Sequence, residues 1–122
     1  MIKVITTNGT FPECGDLTVK LLDDCGNEIG FAGLTTINGQ TNINNLFVEP
    51  LMRQQGFGSL VLYYLMYEAI GNGITIAKAI PSPHHFKDIP VKELNKLFMA
   101  VGFIPVESDI TLDEEQPMIW ER

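Results

Sequence analysis

Basic side chains are scarce in this 122-residue chain: eight lysines and arginines stand against fifteen aspartates and glutamates, for a formal net charge of −7. Nucleic acids are held largely by Lys and Arg neutralising phosphates, so direct binding to DNA or RNA is not expected. A cationic partner, such as a polyamine or a lysine-rich protein patch, is electrostatically favoured instead. Cysteine is also rare. Only Cys14 and Cys25 are present, in loop-like sequence, which excludes a disulfide-built scaffold and points to a reduced, cytoplasmic protein. No apolar run approaches the roughly 20 residues of a membrane span, and nothing resembles a secretory leader, so neither membrane insertion nor export is expected. Repeats, low-complexity tracts and linkers are missing, and the length suits a single domain, 1–122.

Hydrophobic residues make up 45% of the chain, a globular composition, and their period changes half-way. In the first half, strands are expected at residues 1–6, 17–22, 28–37 and 41–48. The Gly- and Pro-containing stretch 8–16 reads as a loop, 23–27 as a turn, and Asn38-Gly39 as a hairpin turn. In the second half, residues 56 to about 70 form a helix stopped by Gly71-Asn72-Gly73, and 74–80 a short strand. Residues 91–101 form an amphipathic helix: Val91, Leu94, Leu97, Phe98 and Val101 share the apolar face, while Lys92, Glu93, Asn95 and Lys96 face water. Strands at 103–106 and 117–121 follow, separated by the acidic stretch 107–115. The order β-β-β-β-α-β-α-β-β specifies an α+β fold with a mixed, mostly antiparallel sheet and two main helices.

The chemically informative segment is Leu46-Phe47-Val48-Glu49-Pro50-Leu51-Met52-Arg53-Gln54-Gln55-Gly56-Phe57-Gly58-Ser59-Leu60. It is a strand, a loop with two alternating glycines, and a long helix. Glycine lets the backbone approach a ligand closely, and the first N–H groups of a helix have no internal acceptors. With the positive end of the helix dipole, those donors suit a diphosphate. Arg53, one of two arginines in an acidic chain, stands beside that anion site.

Leu46-x-Val48-x-Pro50 followed by Arg53-x-x-Gly56-x-Gly58 at a helix start resembles the acetyl-CoA signature of the GNAT superfamily of N-acetyltransferases. Val101-Gly102-Phe103 is similar to that superfamily's helix-Gly-Phe ending, and the resemblance spans roughly residues 35–120. It implies that backbone groups of Leu46, Phe47 and Val48 pair with the pantetheine arm of acetyl-CoA. Arg53, Gln54, Gln55, Gly56, Phe57, Gly58 and Ser59 would wrap its pyrophosphate. The strands 41–48 and 74–80 would splay, with the acetyl thioester in the gap and an acceptor amine attacking it directly in a ternary complex.

Three departures accompany the resemblance. The superfamily often places a tyrosine four residues before the Gly-Phe, as proton donor to the leaving thiolate; here that residue is Phe98. It often carries a glutamate base on the strand before the glycine loop, where this chain has the amides Asn42 and Asn45. An amine of pKa near ~10 must lose a proton before attack, and a positioned base supplies about 100- to 10,000-fold. Glu49, His84 and His85 are the remaining catalytic candidates. Adjacent His84 and His85 lack a third ligand, so no metal is expected. Finally, the two helices that usually follow the first strand cannot fit between residues 6 and 17. An open acceptor groove follows, suited to a protein lysine or N-terminus.

The helix from 56 is apolar nearly all round, with Glu68 its only charge, so a homodimer through its uncovered flank is expected. Two alternatives to an enzyme remain at this stage. One is an acyl-CoA-binding or protein-interaction module without turnover, for which Phe98, Asn42 and Asn45 speak. The other is an inhibitor engaging a basic partner through Asp109, Asp113, Glu114 and Glu115.

Overall fold

The computed structural model describes residues 3–11, 15–53, 56–82, 86, 89–107 and 111–122. Seven strands form one sheet: β1 (Lys3–Phe11), β2 (Gly15–Leu22), β3 (Glu28–Ile37), β4 (Gln40–Val48), β5 (Ile76–Ala79), β6 (Ile104–Pro105) and β7 (Met118–Glu121). Their order across the sheet is β1-β2-β3-β4-β5-β7-β6, and every neighbouring pair is antiparallel except β4 and β5. Helix α1 (Phe57–Gly71) crosses from β4 to β5, and α2 (Val91–Val101) follows β5. The mixed, mostly antiparallel sheet with two helices is the expected α+β arrangement.

Turn chemistry explains the first hairpins. Asn38 and Gly39 both take positive φ, 52° and 78°, as a two-residue turn matched to strand twist requires. At the β2–β3 turn the Asp23 carboxylate accepts the N–H groups of Cys25 and Asn27, both at 2.9 Å. The Asn27 amide foremost, opposed by slight desolvation, holds its carboxyl below the usual aspartate value. The expected loop at 8–16 is corrected. Strand β1 runs on to Phe11 and β2 starts at Gly15, which pair, with a register shift between Asn8 and Phe11. A Gly in a strand is tolerated at such an irregularity, and pairing satisfies the backbone groups that a loop would leave to water.

Strand β4 changes phase half-way. Thr41 and Ile43 are buried, then Leu46 and Val48, because Gly33 pairs with Asn45 and Leu34 with Ile43. Asn44 is the extra residue of a β-bulge, and its Nδ2 donates to Thr35 Oγ1 at 2.5 Å. The bulge turns the second half of β4 so that Leu46 and Val48 still reach the core.

Both helices pack on one face of the sheet. Leu17, Val19, Leu21, Ala32, Leu34, Ile43 and Leu46 meet Val61, Leu62, Leu65, Met66 and Ala69 of α1 in a single hydrophobic cluster. Each fully buried leucine or valine contributes roughly 1.5–3 kcal/mol. Helix α1 is apolar all round because the sheet covers one side and α2 part of another; its exposed large side chains are Tyr63 and Tyr67. No described helix is long and apolar enough to cross a membrane.

Helix α2 spans the expected residues, and Gly102 (φ 113°) ends it with Phe103 N–H returning to Phe98 O at 3.1 Å. Asn95 departs from expectation. It is fully buried rather than solvated, its Nδ2 donating to Leu112 O (2.8 Å) and Glu114 O (3.0 Å). Gln116, also buried, donates to Thr111 O and Glu114 O, so the acidic segment is tied down by two amides and by Ser82 Oγ–H on Glu115. Loop carbonyls brought over α2 need buried donors, and Asn95 supplies them.

Gly30 faces β4 so closely that an added Cβ would strike the Phe47 carbonyl oxygen and lie 3.3 Å from Val48 Cα. Backbone cannot yield as a flexible side chain does, so Gly30→Ala is expected to cost about 1–3 kcal/mol, as overpacking does. Urea denaturation followed by circular dichroism checks this.

Candidate functional site

Strands β4 and β5 pair at one point, Asn42 with Lys78. From there to Val48, the only ladder partner of β4 among the described residues is β3, because its pairing with β5 does not continue past Asn42. The chain leaves β4 with Glu49 N–H on Ile29 O (2.7 Å), then makes a 3-10 turn over Pro50–Met52, where proline's fixed φ suits the first position. Arg53 follows in extended conformation, and its Nε donates to Val48 O at 3.1 Å. That bond anchors the guanidinium at the divergent end of β4.

The two glycines serve different constraints. Gly56 is the N-cap of α1 in the left-handed region (φ 82°), where a side chain would be strained although a Cβ would meet nothing within 4 Å. Gly58 is a matter of space: an added Cβ would stand 2.5 Å from Leu97 Cδ1 of α2. The expectation that both glycines admit a ligand is therefore refined, since Gly58 admits a helix.

No side chain caps α1 and its first turn holds no acidic residue. The first helical bond is Leu60 N–H to Gly56 O, 3.1 Å, so the preceding amides precede any i−4 acceptor within the helix. They open on a cleft of about 550 Å³. Val48, Arg53, Gly56, Gly58 and Ser59 line one wall; Ile89, Pro90, Glu93, Lys96 and Leu97 line the other. Five of the residues singled out in the sequence thus meet in one cavity. Its charged groups among the described residues are Arg53 and Lys96 against Glu93, an excess of positive charge there in an acidic chain.

The other sequence candidates are placed as follows. Leu46 is buried in the core and Phe47 stacks on Phe31 across the sheet (5.5 Å), so neither side chain enters the cleft and only their backbone is available. Phe57 is half-buried against the core. Glu49 is half-buried and does not line the cleft. Gln54, Gln55, His84 and His85 lie outside the described residues. Phe98 is fully buried between Phe86 (5.4 Å) and Phe103 (5.1 Å), an aromatic core position.

The second wall was missed in the sequence. The helical period of α2 separates Leu97 from Glu93 and Lys96 as core from solvent, but does not say that this edge faces the start of α1. The contact of Gly58 with Leu97 brings it there.

No family model matches the chain, and no curated protein matches its sequence. Solved structures do match its shape. An IAA acetyltransferase from Bacillus cereus superposes with a TM-score of 0.72 at 16% identity, over 100% of both chains. An acetyltransferase of the GNAT family from Staphylococcus aureus gives 0.70 at 11% identity, over 99% of each. A GNAT family acetyltransferase from Elizabethkingia anophelis, solved with acetyl-CoA bound, gives 0.70 at 13%, over 99% of this chain and 98% of that one.

This chain has the GNAT fold. At such identities the likeness carries the backbone and not the side-chain chemistry, so the site rests on this chain's own residues.

Gly58→Ala should gain about 1 kcal/mol of helix propensity and lose about 1–3 kcal/mol to overpacking against Leu97. A net loss near 1 kcal/mol, with a displaced Leu97 methyl signal in NMR spectra, is the expected outcome.

Proposed function

We propose that this protein is an acetyl-CoA-dependent N-acetyltransferase built as one domain over residues 1–122, transferring an acetyl group to an amine acceptor by direct attack in a ternary complex. The observation that carries this reading is the uncapped, glycine-led start of α1 opening on a cleft beside the free edge of β4. Amides of residues 56–59, with Gln54 and Gln55, would receive the pyrophosphate, and the Arg53 guanidinium would add charge-assisted bonds. The pantetheine arm, an amide-bearing chain, would run as a pseudo-strand along Leu46, Phe47 and Val48, filling the ladder positions that β5 leaves unpaired. Acetyl-CoA supplies the activated acyl group. The fold of the comparison structures, one of them holding acetyl-CoA, supports the same cosubstrate.

In the reaction the amine nitrogen bonds to the thioester carbon, the C–S bond breaks, the amine sheds a proton and the CoA sulfur takes one. Backbone N–H groups of β4 beside the gap would polarise the thioester carbonyl, and binding both reactants in the gap would supply proximity. Glu49, His84 and His85 are proposed for the acceptor's proton, directly or through water. Phe98 has no proton to give, so solvent protonates the thiolate.

A second reading is favoured by one set of residues. Buried Phe98 and the amides Asn42 and Asn45 offer neither acid nor base, as in an acyl-CoA-binding module without turnover. Release of free thiol from acetyl-CoA with an amine acceptor distinguishes the two, since a module binds CoA and releases none.

Arg53→Glu is expected to weaken CoA binding by about 100-fold or more in isothermal titration, because charge-assisted bonds become repulsion. Unchanged affinity would remove the reading. Glu93→Gln, which deletes the one cleft carboxylate among the described residues, should tighten CoA severalfold at low salt and less at high salt.

A further inference from the structure

The cleft lies on the helix-bearing face of the sheet, so an acceptor must reach the gap between β4 and β5 from the opposite face. Strand alternation and register define that face. Core residues Leu17, Leu34, Ile43 and Ala77 point to the helices, and their alternates point away. One transverse row on the far side reads Asp16, Thr35, Asn42, Lys78, Ile119, from β2 to β7. Among the described residues, no helix covers it.

Lys78 holds a particular place in that row. It is opposite Asn42, the last point at which β4 and β5 touch, and so marks the closed end of the gap. It is exposed, and among the described residues it makes no ion pair. Glu121 sits diagonally across β7, a separation of about 7–8 Å in such ladders, without pairing to it. Asp16 is three strands away, roughly 14 Å, and its Oδ2 accepts the Thr36 N–H. Lys20, two rows further, is neutralised by Glu28 at 3.2 Å. The chain as a whole is anionic, yet the residue paired with Asn42 at the end of the gap is a cation.

We infer that the acceptor is a primary amine carrying an anionic group, a carboxylate or a phosphate, a few ångströms from its nitrogen, and that Lys78 receives that group. The inference rests on the transferase reading above. A carboxylate paired with Lys78 would hold the neighbouring amine over the open part of the gap, whereas a polyamine or a lysine flanked by further cations would meet like charge. The local field at the gap outweighs the global charge because interactions between exposed charges fade beyond about 8–10 Å at physiological salt. On this inference a polyamine, which net charge alone favours, is a poorer acceptor.

The test compares kcat/KM for thiol release from acetyl-CoA, with acetylated product verified by mass, across matched acceptors. Glycine and O-phosphoethanolamine carry the anion; glycinamide and ethanolamine lack it; spermidine carries extra cations. The anionic members are expected to be preferred by about two- to fivefold, the span of an exposed charge pair. Preference for glycine over O-phosphoethanolamine, or the reverse, distinguishes carboxylate from phosphate. Lys78→Gln should level the preference, and Lys78→Glu should invert it, while CoA affinity in isothermal titration stays as in the unsubstituted protein. Preference for glycinamide, ethanolamine or spermidine, or a preference unmoved by Lys78→Glu, overturns the inference and leaves acetyl transfer standing. No transfer to any acceptor overturns both, and absent CoA binding identifies the transferase reading as the failing part.

Discussion

Strand β4 is paired along its length with β3 on one edge and has one ladder pair with β5 on the other. A parallel partner that pairs at a single residue leaves the rest of that edge without a ladder partner in β5, on an otherwise complete sheet. That edge has to be answered by something. Arg53 answers part of it by donating to Val48 O, and the rest faces a gap that a strand-like, amide-bearing ligand can complete. The cleft, the start of α1 and the placement of Lys78 all follow from where the two strands part.

The divergence is held open by packing on the helical side. Gly58 lets α1 and α2 approach so that Leu97 sits where a side chain on α1 would otherwise stand. The bulge at Asn44 keeps Leu46 and Val48 in the core beneath them while turning the end of β4. Asn95 and Gln116 then bind the acidic segment across α2, which fixes the second wall of the cleft against the sheet. None of these contacts is itself chemical, yet each sets the width of the space in which the chemistry would occur.

Charge works on two scales in this molecule. A net charge of −7 disfavours polyanions at long range, but among the described residues the cleft holds two cations to one carboxylate, and Lys78 stands opposite Asn42 without an ion pair. Short-range placement decides what binds in a small cavity, because screening removes the distant charges first.

The strands and helices were legible in the sequence because period and turn chemistry are local: Asn38-Gly39 makes its turn, Gly102 ends its helix, and residues 28–37 and 91–101 form the elements their patterns specify. The wall formed by Val48, Arg53, Gly56, Gly58 and Ser59 was legible too, since contiguous residues around one loop carry its chemistry together. The extension of β1 past Asn8, the buried amide of Asn95 and the wall of Glu93, Lys96 and Leu97 were not, because each depends on a partner distant in the chain. Composition and spacing determine which groups a segment offers. Only the tertiary structure decides which of them face each other, because burial and proximity are properties of pairs brought together by packing and not of any residue alone.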